Sequence, residues 1–191
     1  MQDAPGTLEI RLFDSTGNVE TIDLDAAKLD RLEEHQLLWI DLEGSGDASL
    51  FAVMDKLGIG SDIAQAFCDR SARPELRVHN GTFFVRVVVV RNEGNLTYAG
   101  SVLAILAGHN FVVTSHQEPV DCITQLRERE SEDPGLGVLG ADSFTPSLLD
   151  WHLHSYFDAV ADFESADERL ETDILDDRHG QCLHSLRGLR K

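Results

Sequence analysis

The run Phe83-Phe84-Val85-Arg86-Val87-Val88-Val89-Val90 constrains the fold more than any other stretch of the chain. A β-strand turns alternate side chains to opposite faces, so a run that is apolar at both parities must be covered on both sides. This excludes a sheet with one wet face. It predicts a central strand with helices packed above and below it.

The flanking sequence supplies more strands and the helices to cover them. Leu8–Phe13 alternates as a half-buried strand, and Ser15-Thr16-Gly17-Asn18 turns it into a second short one over Val19–Ile22. Leu24–His35 carries Leu29 and Leu32 among charges and reads as a short amphipathic helix; Leu37–Leu42 is a compact apolar strand. A Gly-containing loop over Glu43–Asp47 leads to a helix over Ala48–Leu57 that Gly58 ends, and Ser61 is placed to cap another running to Cys68. After Arg73-Pro74 breaks the chain, strands are expected at Glu75–His79, Thr82–Arg91, Leu96–Leu106 and Phe111–Ser115. Asn80-Gly81, Glu93-Gly94-Asn95 and Gly108-His109-Asn110 are the turns between them. Val120–Glu130 returns to helical spacing.

Asp133–Gly140, with one proline and three glycines, reads as a linker dividing a first domain, 1–140, from a helical segment, 141–191. Beyond it Leu149, Leu153, Tyr156, Val160, Phe163, Leu170 and Ile174 follow a heptad-like stripe, the pattern of a long helix lying along a partner helix. Asp158–Asp177 holds nine carboxylates and one arginine, whereas Arg178–Lys191 has four basic residues and no acid. Gly180 breaks this segment, and Leu183, Leu186 and Leu189 then read as the opening of a second helix, as though the chain were cut there.

Charge narrows the partners. Thirty-four acidic residues against sixteen basic ones give a formal net charge of −18. Such a field repels nucleic-acid phosphate and attracts divalent cations. The cysteines, Cys68, Cys122 and Cys182, form no CxxC pair and are odd in number, which suits a reduced, cytoplasmic setting. The first residues do not read as a signal peptide, so none is expected, and no apolar run in the sequence approaches the roughly twenty residues that span a bilayer.

No motif for catalysis or cofactor binding emerges. Gly44-Ser45-Gly46 stands between strand and helix, but Ser49 occupies the third glycine position of GxGxxG, and Glu43 and Asp47 would repel phosphate. It reads as a plain turn with Ser45 or Asp47 capping the helix. GxxxxGK[ST], GxSxG, HExxH, zinc-finger spacing and EF-hand loops are all missing. Ser115-His116 ends a strand with no acid spaced nearby to orient the histidine, and His109, His116 and His179 carry no pattern. Asp150 and His154 stand one helical turn apart and could share a cation, with Asp158 a turn further on; a polar helix face is the simpler reading of the spacing alone.

Trp39-Ile40-Asp41-Leu42, Leu57-Gly58-Ile59, Arg73-Pro74-Glu75, Phe83-Phe84-Val85, Phe111-Val112-Val113-Thr114-Ser115-His116-Gln117-Glu118-Pro119, and Leu148-Leu149-Asp150 with Tyr156-Phe157 occur in register. In this order the sequence resembles the cytoplasmic N-terminal part of the CorA family of divalent-cation channels, including its zinc-transporting ZntB branch. The resemblance implies a mixed β-sheet flanked by helices, then long helices leading toward a membrane domain, here missing. It implies a homopentamer as well, together with a Gly-Met-Asn signature in the membrane part that this chain lacks. The family's regulatory Leu-Glu-Asp segment aligns with Ala64-Gln65-Ala66, where both carboxylates are gone, while Asp150 matches an acidic position of a second metal site.

The expectation is therefore an α/β domain with a long C-terminal helical segment, from a CorA/ZntB-like transporter of Mg²⁺, Zn²⁺ or Co²⁺. Asp150 is its one candidate metal ligand. No catalytic residue and no cofactor are expected, and the membrane would be met only through the missing segment. A stand-alone acidic protein that pairs its helical stripe with a partner is the alternative.

Overall fold

The computed structural model describes residues 6–16, 18–25, 32–33, 35–79, 81–132 and 141–175. Strands β1 (Thr7–Phe13), β2 (Val19–Thr21) and β3 (Leu37–Glu43) precede helices α1 (Asp47–Lys56) and α2 (Ser61–Cys68). Then come β4 (Glu75–His79), β5 (Thr82–Gly94), β6 (Thr97–Ala107) and β7 (Phe111–His116), followed by α3 (Asp121–Glu132) and α4 (Ala141–Leu175).

The strands form one seven-stranded sheet in the order β2-β1-β3-β7-β6-β5-β4. After β3 the chain crosses through α1 and α2 to the far edge and returns as an antiparallel meander, β4 to β7. Its last strand reaches β3 in parallel, and every other pairing is antiparallel, so the sheet is mixed. The fold is α/β, with helices on both faces as the Phe83–Val90 run requires. The centre of the sheet is taken by β7, however, and β5 lies next to the edge strand.

Two cores result. On one face Ile10, Leu38, Ile40 and Phe84 pack against Leu50, Val53 and Met54 of α1 and Ile63 and Phe67 of α2. On the other, Trp39, Val85, Leu103, Ile105 and Val112 meet Ile123 and Leu126 of α3 and Phe144 and Leu148 of α4. Trp39 and Phe144 anchor this second core, their ring centroids 5.4 Å apart.

Local chemistry departs from the sequence reading at several points. Neither Ser45 nor Asp47 caps α1: its N-cap is Gly46, without a side-chain bond, because the Ser45 hydroxyl is drawn across to the Thr7 carbonyl at 3.3 Å. Likewise Gly60, not Ser61, is the N-cap of α2. The β5–β6 turn is centred on Asn95 and Leu96, both left-handed (φ 51° and 59°), so Leu96 belongs to the turn rather than to the strand. A register shift between Asn92 and Gly94 moves the turn along the chain.

Helix α4 starts at Ala141, and Ala141, Phe144, Leu148 and His152 line its buried side. Most of the heptad-like stripe lies beside that seam, although Leu149 packs against the second core and Leu170 is buried. Leu153, Tyr156, Val160 and Phe163 are exposed, as is Phe157 at 69%. The Leu24–His35 helix falls largely outside the described residues, as do the Asp133–Gly140 linker, Gly180 and the leucines at 183, 186 and 189. Among the described residues no helix is long and apolar enough to cross a membrane.

Candidate functional site

Because β3 and β7 run parallel, their C-terminal ends coincide, the place where open α/β sheets put their chemistry. Asp41 is in register with Thr114 and Glu43 with His116, and these residues share the face covered by α3. Asp41 is 2% exposed. A carboxylate buried that deeply needs partners, and it has them from β7 and α3. The Thr114 hydroxyl donates to Oδ1, and the Trp39 indole donates to that hydroxyl at 3.0 Å. Arg127 of α3 donates through Nη2 to Oδ2. His116 Nε2 lies 3.3 Å from the carboxylate.

Arg127 ties in two more acids: its Nε stands 3.2 Å from Glu9 Oε2 and its Nη1 3.7 Å from Glu43 Oε2. The Nε contact is ionic rather than an aligned hydrogen bond. Arg11 holds Glu9 from the same strand at 2.6 Å and lies 5.6 Å over the Trp39 ring. The other ring nitrogen of His116, Nδ1, is 2.7 Å from the Glu118 carbonyl.

Burial alone would lower the His116 pKa, but the Asp41 hydrogen bond and charge, helped by the Glu118 carbonyl and Glu43, outweigh it and raise the value above 6.5. Close by, burial pushes the Cys122 thiol up to about 11, which keeps it neutral.

Asp41, Glu43 and His116 place ligand-type atoms within 4.8 Å of one another, the one such group among the described residues. Both Asp41 oxygens are already engaged, and the Arg127 guanidinium spans the two carboxylates. The Arg127 guanidinium thus stands where a metal ion would have to sit between the two carboxylates.

His116 corrects the sequence reading most clearly. The acid that orients it is Asp41, 75 residues away, beyond the reach of any local spacing. The signal was the Asp41 carboxylate inside the otherwise apolar Leu37–Leu42 strand, since such a group must be paired.

Asp150 lies elsewhere, on α4, with its side chain 70% exposed and Oδ2 3.9 Å from His154 Nδ1. It borders an open groove of about 1040 Å³ lined also by His35, Phe83, His109, Thr145 and Leu149. No metal-ligating trio of described residues includes it. Ala64 and Ala66 are buried in the α1–α2 core, so this part of α2 presents no carboxylate. Gly44-Ser45-Gly46 is a structural turn: Gly44 N–H donates to the His116 carbonyl at 2.8 Å, and Arg70 Nη2 donates to the Ser45 carbonyl at 3.2 Å.

The chain is similar to the soluble domain of CorA from Methanocaldococcus jannaschii (TM-score 0.71, 21% identity, covering 95% of this chain and 70% of that one). It is similar too to the complete CorA magnesium transporter of that organism (TM-score 0.70, 21% identity), aligning over 96% of its own length and 56% of the transporter's. The ZntB cytoplasmic domain from Vibrio parahaemolyticus matches with TM-score 0.64 and 13% identity, over 95% of this chain and 73% of that one. The family model of the CorA-like Mg²⁺ transporter protein matches residues 34–191, and the chain belongs to that family. No curated protein sequence matches it.

Proposed function

We propose that this chain is the cytoplasmic part of a CorA/ZntB-type divalent-cation transporter. The family match over residues 34–191 carries the reading, and the likeness of the fold to CorA and ZntB domains supports it. Residues 1–140 form the sheet domain and 141–191 the helical arm toward the membrane. The whole protein sits in the inner membrane as a homopentamer, with this part facing the cytoplasm. Mg²⁺, Zn²⁺ and Co²⁺ are its candidate cargo.

The net charge of −18, repeated around a pentamer, concentrates cations near the pore entrance and destabilises the assembly unless cations offset it. Asp150 supplies one carboxylate to a regulatory cation. A hard cation takes six or more oxygens, so the remaining ligands come from water or another subunit, and its occupancy biases the gate.

Uptake of each cation into vesicles bearing the full-length gene product tests the reading; no uptake of any of them overturns it and favours an acidic partner-binding protein. Calorimetric titration of the 191-residue chain with Mg²⁺, Zn²⁺ and Co²⁺ tests the site. Asp150→Ala is expected to abolish saturable binding, and heats indifferent to the substitution would reduce the carboxylates to a diffuse cation reservoir.

A further inference from the structure

His116 faces an oxygen acceptor at each ring nitrogen. Nδ1 is 2.7 Å from the Glu118 carbonyl and Nε2 is 3.3 Å from the Asp41 carboxylate. Neither of these oxygens carries a hydrogen to offer. A neutral imidazole has a single N–H, so either tautomer sets a lone pair against a lone pair; only the imidazolium donates to both.

The surrounding charge makes the same demand. From β1 come Glu9 and Arg11, from β3 Asp41 and Glu43, and from α3 Arg127. Cys122 of α3 stays a neutral thiol, β6 opposes His116 with the apolar Leu103, and the Glu118 carboxylate is turned away to Arg91 at 2.9 Å. Three carboxylates thus face two guanidiniums, and the proton on His116 brings the group to neutrality. Without it one negative charge is left uncompensated at a site where Asp41 is 2% exposed, which is costly.

We propose that His116 is a proton-operated switch: its imidazolium, through Asp41 and Arg127, clamps α3 to the end of the β3–β7 pair, and loss of the proton loosens that clamp. Arg127 is the polar tether of α3, and Ile123 and Leu126 are the apolar one. When Asp41 loses the imidazolium, its claim on Arg127 competes directly with those of Glu9 and Glu43. Because the folded-state value lies above 6.5, the proton's contribution is complete below that pH and is lost as pH rises through the folded value. The switch opens on the alkaline side.

Nitrogen NMR of the chain labelled at histidine reads the protonation directly. At pH 6.5 both His116 nitrogens are expected to be protonated, assigned by through-bond correlation in the wild-type protein. A neutral tautomer at that pH overturns the proposal, whether or not any variant folds. Amide exchange across residues 123–127 of α3 then tests the coupling. After correction for intrinsic base catalysis, protection is expected to fall about tenfold for each pH unit between 6.5 and the folded pKa. His116→Gln should remove that dependence, and an equal pH response in both proteins would show that the proton does not work the helix.

Discussion

Arg86 stands directly opposite Glu75 across the β4–β5 ladder, and its Nη2 reaches Glu75 Oε2 at 2.6 Å. The same guanidinium donates to the carbonyls of Ala66 at 3.0 Å, Asp69 at 2.9 Å and Arg73 at 2.9 Å. The one charge in the Phe83–Val90 run is therefore a buried cap on the C-terminal end of α2, whose last carbonyls lack helical partners. Arg86→Ala orphans those oxygens, while Glu75 keeps Arg77, whose Nε donates to Oε1 at 2.6 Å. The substitution is expected to lower unfolding free energy by about 1–3 kcal/mol, read by urea denaturation, and a loss under about 1 kcal/mol would mean that water replaces the guanidinium.

Leu96 at φ 59° follows Asn95 at φ 51° in the β5–β6 turn. Asparagine tolerates the left-handed region; a leucine there crowds its Cβ against the backbone. Two consecutive left-handed residues make a type I′ turn, which favours Asn-Gly. Leu96→Gly should stabilise the chain by about 1 kcal/mol, visible as a higher denaturation midpoint at unchanged slope. A lower midpoint would show that the half-buried Leu96 side chain contributes more packing than its backbone costs.

What the sequence made legible follows from which interactions are local. Strand alternation, Gly58 after α1 and the doubly apolar β5 are nearest-neighbour patterns, and they located the elements. Caps were misplaced because Ser45 bonds to Thr7 across the sheet, a choice no helix-start rule contains. The site was hidden for the same reason: Asp41 meets Arg127 86 residues later, and only its improbable place in an apolar strand hinted at a partner. The stripe on α4 is legible as a heptad-like pattern, whereas the buried seam through Phe144, Leu148 and His152 runs beside most of it and mixes polar with apolar residues, so no single period marks it.

Thr114 relays between Trp39 and Asp41, accepting from the indole at 3.0 Å while donating to the carboxylate. Thr114→Val keeps the shape and removes both bonds at a position with no solvent exposure. The buried indole N–H is left without an acceptor, and Asp41 loses one donor. The expected cost is about 1–3 kcal/mol. Tryptophan fluorescence should shift as well, because the Trp39 indole loses its polar contact. A variant as stable as wild type would show that the indole and the carboxylate find other partners.

Asp162 pins α4 to the β5–β6 hairpin, accepting at Oδ2 from Asn92 Nδ2 at 2.8 Å and from the Tyr98 hydroxyl at 2.9 Å. The Tyr98 and Phe163 rings lie 5.3 Å apart beside it, and the Tyr156 hydroxyl donates to the Val88 carbonyl at 2.6 Å about two turns earlier. Desolvation, then the Asp162 hydrogen bond and charge, raise the Tyr98 pKa above 10. A raised phenol value means that the neutral hydroxyl holds the contact and that the contact weakens as pH climbs through the folded value. Asp162→Asn keeps an acceptor but removes the charge, so the Tyr98 midpoint should fall toward 10. Phenolate absorbance measures it in a Tyr156→Phe background, which leaves Tyr98 as the sole tyrosine. Amide exchange in residues 156–166 should quicken in the same variant, because the helix has lost a charge-assisted tether to the hairpin. An unmoved Tyr98 midpoint would show that the carboxylate does not hold the phenol in solution, leaving the ring stack with Phe163 and the Tyr156 bond as the contacts that keep α4 on the sheet.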